Sequence, residues 1–149
     1  MSFREAYTAA EWQTLQFGPL WVFTTVASAD KNIDPKELEA LAKEIQEAPL
    51  YKDELVREVL MSVGMDLSNL MTQYQADSRN VMVGLQDVAA LLKRKASPDN
   101  GENFKKSLLL IGGNVAKASG GGGIFRRDPI SDDEKKALVM VAMWLDLKL

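Results

Sequence analysis

Apolar residues recur along this chain at gaps of three and four, with polar residues filling the positions between, which is the pattern of amphipathic helices. Thr8, with Glu11 three positions on, has the spacing of a capping box and starts a helix that turns Trp12, Leu15 and Phe17 inward. Gly18-Pro19 is expected to interrupt it. A second helix then carries Leu20, Phe23, Val26 and Ala27 on one face and is expected to end near Ala29. Pro35 suits the first turn of a third helix, whose stripe of Leu38, Leu41, Ala42 and Ile45 keeps the helical period until Pro49 closes it.

From about Lys52 the series Val56, Val59, Leu60, Val63, Leu67, Leu70, Met71 and Tyr74 predicts one long helix, with Gly64 as the place where it bends or splits. The segment "ADS" at 76–78 reads as a cap, after which Val81, Leu85, Val88 and Leu92 line a further helix. That helix is expected to run out in "KRKASPDNGEN", a polar stretch with Pro and Gly that reads as a mid-chain loop. Phe104, Leu108, Ile111, Val115 and Ala118 form the next stripe, and the neighbouring Leu109 and Leu110 predict burial on more than one side. After Ser131, the last helix faces the core with Leu138, Val141, Ala142 and Leu145. Strand-like alternation is lacking, so the expected fold is all-α: residues 1–149 as one compact bundle of about seven helices.

Composition narrows the chemistry. With 149 residues and 46% hydrophobic content the chain can bury one proper core. The apolar runs are too short to span a bilayer, and "MSFREAYTAAEW" lacks the pattern of a signal peptide, so the expected address is the cytoplasm. A net charge of −3 without a basic stripe argues against nucleic acid as a partner. The chain has neither His nor Cys, which removes disulfides, zinc fingers, Ser-His-Asp and Cys-His catalysis in one step. No zinc, haem or nucleotide is expected. Any metal would be held by oxygen, which favours Ca²⁺, Mg²⁺ or Mn²⁺.

The sequence also resembles itself. "VASAD" (Val26 to Asp30) aligns with "VAKAS" (Val115 to Ser119), and "IDPKE" (Ile33 to Glu37) with "ISDDE" (Ile130 to Glu134). Each copy, about 20–47 and about 105–148, reads as apolar helix, turn, polar cap and amphipathic helix. The second copy holds its additional residues in "GGGGIFRRDP". Helical hairpins of this kind commonly pair about a pseudo-twofold axis, and such pairing would bring the two acidic turns to one side of the molecule.

Capping accounts for much of the acidity in these turns. Asp34 is a favoured N-cap, Pro35 suits the first helical position, and Glu37 can reach back to the cap; Ser131 with Glu134 repeats the box. Asp132 and Asp133 add favourable charge to a first turn. Asp30 is different, because it follows the end of a helix, where the dipole disfavours negative charge. "DKNIDPKE" also matches the later half of a calcium loop, although Lys31 stands where that loop has its Gly. One such turn supplies too few oxygens for a full EF-hand; two turns brought together, or an ion that keeps several waters, would suffice.

The run "VASADKNIDPKELEAL" resembles the signature of the TerB-like tellurite-resistance family, compact helical bacterial proteins linked to a stress-response system. The resemblance implies a non-enzymatic protein that binds a divalent cation through acidic residues of its turns. Carried over, it implies Asp30, Asp34 and Glu37 in the first copy and Asp133 and Glu134 in the second. Lys31 in place of the family's usual Gly, and Ser119 where the second copy would have an acid, depart from the pattern.

Two further features stand apart. "SGGGGIFRRDP" reads as a flexible linker, lacking the ending of a P-loop, and its Ile124-Phe125 pair would anchor it to the core or to a partner. Val139, Met143 and Trp144 are expected to be buried; exposed, they would mark, with Phe125, an interface to a protein partner or a second copy. The alternative to cation binding is therefore a metal-free interaction module working through an apolar groove between helices.

Overall fold

The computed structural model describes residues 2–28, 35–120 and 131–148, with side chains over 2–27, 39–117 and 131–148. Among these residues the fold is an all-helical bundle of seven α-helices: α1 (Ala9–Ser28), α2 (Pro35–Gln46), α3 (Glu54–Met65), α4 (Leu67–Ala76), α5 (Val81–Lys95), α6 (Pro98–Gly120) and α7 (Asp132–Trp144). Short 3-10 turns precede α1 (Phe3–Ala6) and join α2 to α3 (Ala48–Leu50).

Helix α1 is the axis of the bundle. The Thr8–Glu11 box opens it as expected, Glu11 accepting from the Thr8 backbone N–H at 2.8 Å while Thr8 Oγ1 accepts from the Glu11 N–H at 3.1 Å. The expected break at Gly18-Pro19 does not occur, and α1 runs through Pro19 without interruption. A proline in mid-helix costs on the order of 3 kcal/mol. Here Leu15, Phe17, Leu20, Trp21, Val22 and Val26 are all essentially inaccessible to solvent, each contributing roughly 1.5–3 kcal/mol of burial, which outweighs that loss. Burial on every side also explains why α1 shows no single apolar face.

Two other boundaries differ from expectation. The long helix over 52–74 divides at Asp66 (φ −145°, ψ 47°) and not at Gly64. The predicted loop "KRKASPDNGEN" shrinks to Ala96 and Ser97, because Pro98 takes the first helical position of α6 and Ser97 Oγ accepts from the Asn100 N–H at 3.2 Å. The cap of α5 is Asn80, whose Oδ1 accepts from the Val83 N–H at 2.8 Å, and not a residue of 76–78.

Helices α5 and α6 pack most extensively on α1, α2 lies on α6 and α3, and α7 closes over α1, α5 and α6. No helix among the described residues is long and apolar enough to cross a membrane.

Candidate functional site

The relative direction of α1 and α6 decides where the acidic turns leave the bundle. A methyl group added at Gly18 of α1 would sit 3.2 Å from Leu108 and 3.8 Å from Phe104 of α6, whereas one added at Gly112 of α6 would meet Val22 and Val26 of α1 at 2.8 and 3.5 Å. Residue numbers therefore rise together along the two helices, which run parallel. Their C-termini, Ser28 and Gly120, lie at the same end, offset along the axis by about one turn.

Helix α7 runs the other way. Leu138 faces Gly112, and Lys105 Nζ donates to the Asp146 carbonyl at 3.5 Å, so α7 descends α6 as its numbers rise. Its first turn, with Asp132, Asp133 and Glu134, thus begins at the end where α1 and α6 finish. Asp133 is exposed and shares a hollow of about 420 Å³ with Thr24 and Thr25 of α1 and Lys136 of α7. Helix α2 also descends α6, since Glu44 meets Asn114 while Glu39 and Ala40 share a hollow with Lys117, so α2 begins toward this same end.

Two helix C-termini and two N-termini thus gather at one end, and their dipoles oppose one another. Side chains then set the sign. Residues 30–37 hold three acids against two lysines, and 126–134 hold four acids against two arginines, so both connections are acidic.

Of the residues implied as ligands, Asp30, Asp34 and Glu37 lie outside the residues whose side chains are described, as does Phe125. Glu134 is 1% exposed and makes the expected capping box: its carboxylate accepts from the Ser131 N–H at 3.0 Å, and Ser131 Oγ accepts from the Glu134 N–H at 3.1 Å. Among the described residues no group of three or more Asp, Glu, His or Cys side chains is placed to hold a metal ion.

One polar cluster, between α2 and α6, leaves no mark in the helical pattern of the sequence. Glu44 of α2 is only 7% exposed, and its carboxylate accepts from Asn114 Nδ2 of α6 at 2.7 Å and from the Tyr51 hydroxyl at 2.9 Å. Burial, and then the Glu44 carboxylate, push the Tyr51 phenol well above its ordinary value. Ala42, expected in the core, is exposed instead. The inward face of α2 runs Leu41, Glu44, Ile45, because Asn114 on α6 offers the carboxylate a donor where an apolar side chain was expected.

Val139 and Met143, expected to be buried, are 48% and 69% exposed, and Leu110 of α6 is 54% exposed; Trp144 packs partly against the core. Helix α7 buries a single stripe of Glu134, Ala137, Val141 and Ala142, which leaves the 139 and 143 positions facing outward.

A comparison with protein families finds no match, and neither does one with solved structures. The uncharacterized protein ORF11' of Methanothermobacter thermautotrophicus is 30% identical over 148 residues, spanning 98% of this chain and 94% of that protein. The chain belongs to the family of that protein. Similarity to ORF11' covers nearly the whole length, so it takes in all seven helices described.

Proposed function

We propose that the chain is a non-enzymatic binding protein of the TerB type that holds a divalent cation, Ca²⁺, Mg²⁺ or Mn²⁺, at the end of the bundle where α1 and α6 finish. The observation that carries this reading is the parallel packing of α1 and α6 through Gly18 and Gly112, which sends both acidic connections out of the same end. The donor set fits a hard cation, because a chain without His or Cys has oxygen ligands to offer.

The proposed ligands are Asp30, Asp34 and Glu37 together with Asp133. Glu134, proposed with them from the sequence, acts as a positioning residue: its capping box fixes the first turn of α7, on which Asp133 stands. A role in a cytoplasmic stress response follows from the TerB resemblance and is part of the same proposal. Calorimetric titration of the metal-free protein with CaCl₂, MgCl₂ and MnCl₂ tests it. Saturable binding of one ion that is lost in Asp30→Ala and weakened in Asp133→Asn supports the reading, and the absence of heat with all three ions rejects it.

A further inference from the structure

We infer that the trough between α6 and α7 is a docking site for an acidic amphipathic helix of another protein. The trough has a volume of about 510 Å³ and is walled by Leu109 and Leu110 of α6 and by Leu138, Val139 and Leu147 from α7 and the segment after it. Gly113 forms its floor, and the space a side chain would take there is open to 4 Å. Leu110 and Val139, which line it, each expose about half of their surface, and Met143 one turn along α7 from Val139 exposes more, apolar area of the kind that marks an interaction site.

Shape and charge together select the occupant. The trough is shallow and runs along α6 from Lys106 to Gly113, about two helical turns, the length over which a helix presents anchors at i, i+4 and i+7. Lys106 and Lys148 line one end of it, brought together because α6 and α7 are antiparallel. Lys117, one turn beyond Gly113, lines a separate hollow with Glu39, Glu44 and Glu47 of the α2 side and is not part of the trough. Among the described residues neither Lys106 nor Lys148 is in an ion pair of the structure, whereas Lys105 next door is directed to the Asp146 carbonyl. An apolar floor with one cationic end matches an apolar helix face that carries Asp or Glu at one terminus. A second copy of this chain is disfavoured, because pairing the trough with itself sets its lysine end against either the same lysines or an apolar end, never against an acid.

This surface does not rest on cation binding, so it is tested in EDTA. The probes are two fluorescein-labelled helical peptides with leucines at i, i+4 and i+7, one flanked by glutamates and one by lysines, read by fluorescence anisotropy. The acidic peptide is expected to bind and the basic one not. Lys106→Glu with Lys148→Glu should weaken binding at least about tenfold and make it less sensitive to salt. Gly113→Leu, which fills open space, should abolish binding with its thermal midpoint preserved. Equal binding of both peptides, no binding of the acidic one, or indifference to Gly113→Leu would overturn the inference. So would concentration-dependent dimerisation in sedimentation that Gly113→Leu removes, since the occupant would then be a second copy.

Discussion

Gly112 of α6 lies so close to Val22 of α1 that a single methyl group on it would stand 2.8 Å from Val22 Cγ1. That contact, with Gly18 against Leu108, lets the two helices run closely side by side in the same direction, and their shared direction brings the C-termini of α1 and α6 to one end.

Three glycines should therefore respond differently to the same substitution. In Gly84→Ala the new methyl would overlap the Trp21 ring, so a loss of about 3 kcal/mol or more is expected. Gly112→Ala should lose about 1–2 kcal/mol, because crowding of Val22 and Leu138 exceeds the gain of about 1 kcal/mol in helix propensity. Gly113→Ala meets nothing within 4 Å and should gain up to about 1 kcal/mol. Urea unfolding of the three variants gives the order directly.

Arg79 is the second organising contact. Its guanidinium lies 4.8 Å over the Trp21 ring, donates to both carboxylate oxygens of Asp77 at 2.9 and 3.0 Å, and reaches Asp87 and Thr14 at 3.1 Å each. Arg79→Met should cost about 2 kcal/mol, and Arg79→Lys somewhat less, because an ammonium cannot reproduce the planar fork.

The same contact makes stability fall in acid. The Arg79 hydrogen bond holds the Asp77 carboxyl below its ordinary value. A depressed folded-state value means that the stabilisation is complete above the unfolded carboxylate range, near pH 4, and disappears as pH falls through the folded value. Glu11, held at about 2 chiefly by the Lys95 side chain and then by the Thr8 N–H, adds to the same acid limb. Unfolding midpoints in urea should drop between pH 5 and pH 2 in the wild type, and Asp77→Asn should show a smaller drop from a lower start.

Around Glu44, loss of a donor should matter more than loss of the charge. Tyr51→Phe and Asn114→Ala each leave a buried carboxylate short of one hydrogen bond and should cost about 1–3 kcal/mol. Glu44→Leu, which removes the need for both donors, should cost less in Asn114→Leu than in the wild-type background. A double-mutant cycle measured by urea unfolding reads this coupling.

Much of this fold was legible in the pattern of the chain where one face of a helix meets water. The Thr8–Glu11 and Ser131–Glu134 boxes and the buried stripe of Val56, Val59, Leu60 and Val63 behave as local rules predict. The rules fail where tertiary burial overrides them. Pro19 is carried through because α1 is surrounded, and Ser97-Pro98 starts a helix in a stretch whose composition reads as a loop. The Glu44–Asn114 pair spans 70 residues, a separation at which no periodicity carries a signal. At the candidate site only the framework was within reach: Asp133 and Glu134 fall in the first turn of α7 as expected, while Asp30, Asp34 and Glu37 lie outside the described side chains.

The most direct test of the cation reading is the thermal midpoint of the wild type, Asp30→Ala and Asp34→Ala, each in EDTA and then with millimolar Ca²⁺, Mg²⁺ or Mn²⁺. A bound ion at a hundredfold excess over its Kd adds about 2.7 kcal/mol to the folded state. Cation binding predicts a higher midpoint with one ion in the wild type and no such rise in either Asp30→Ala or Asp34→Ala; a loss in Asp34→Ala that is the same in EDTA and in metal would mark that residue as a cap alone. A wild-type midpoint that ignores every ion, with Asp30→Ala indistinguishable from it in EDTA and in metal alike, would contradict it.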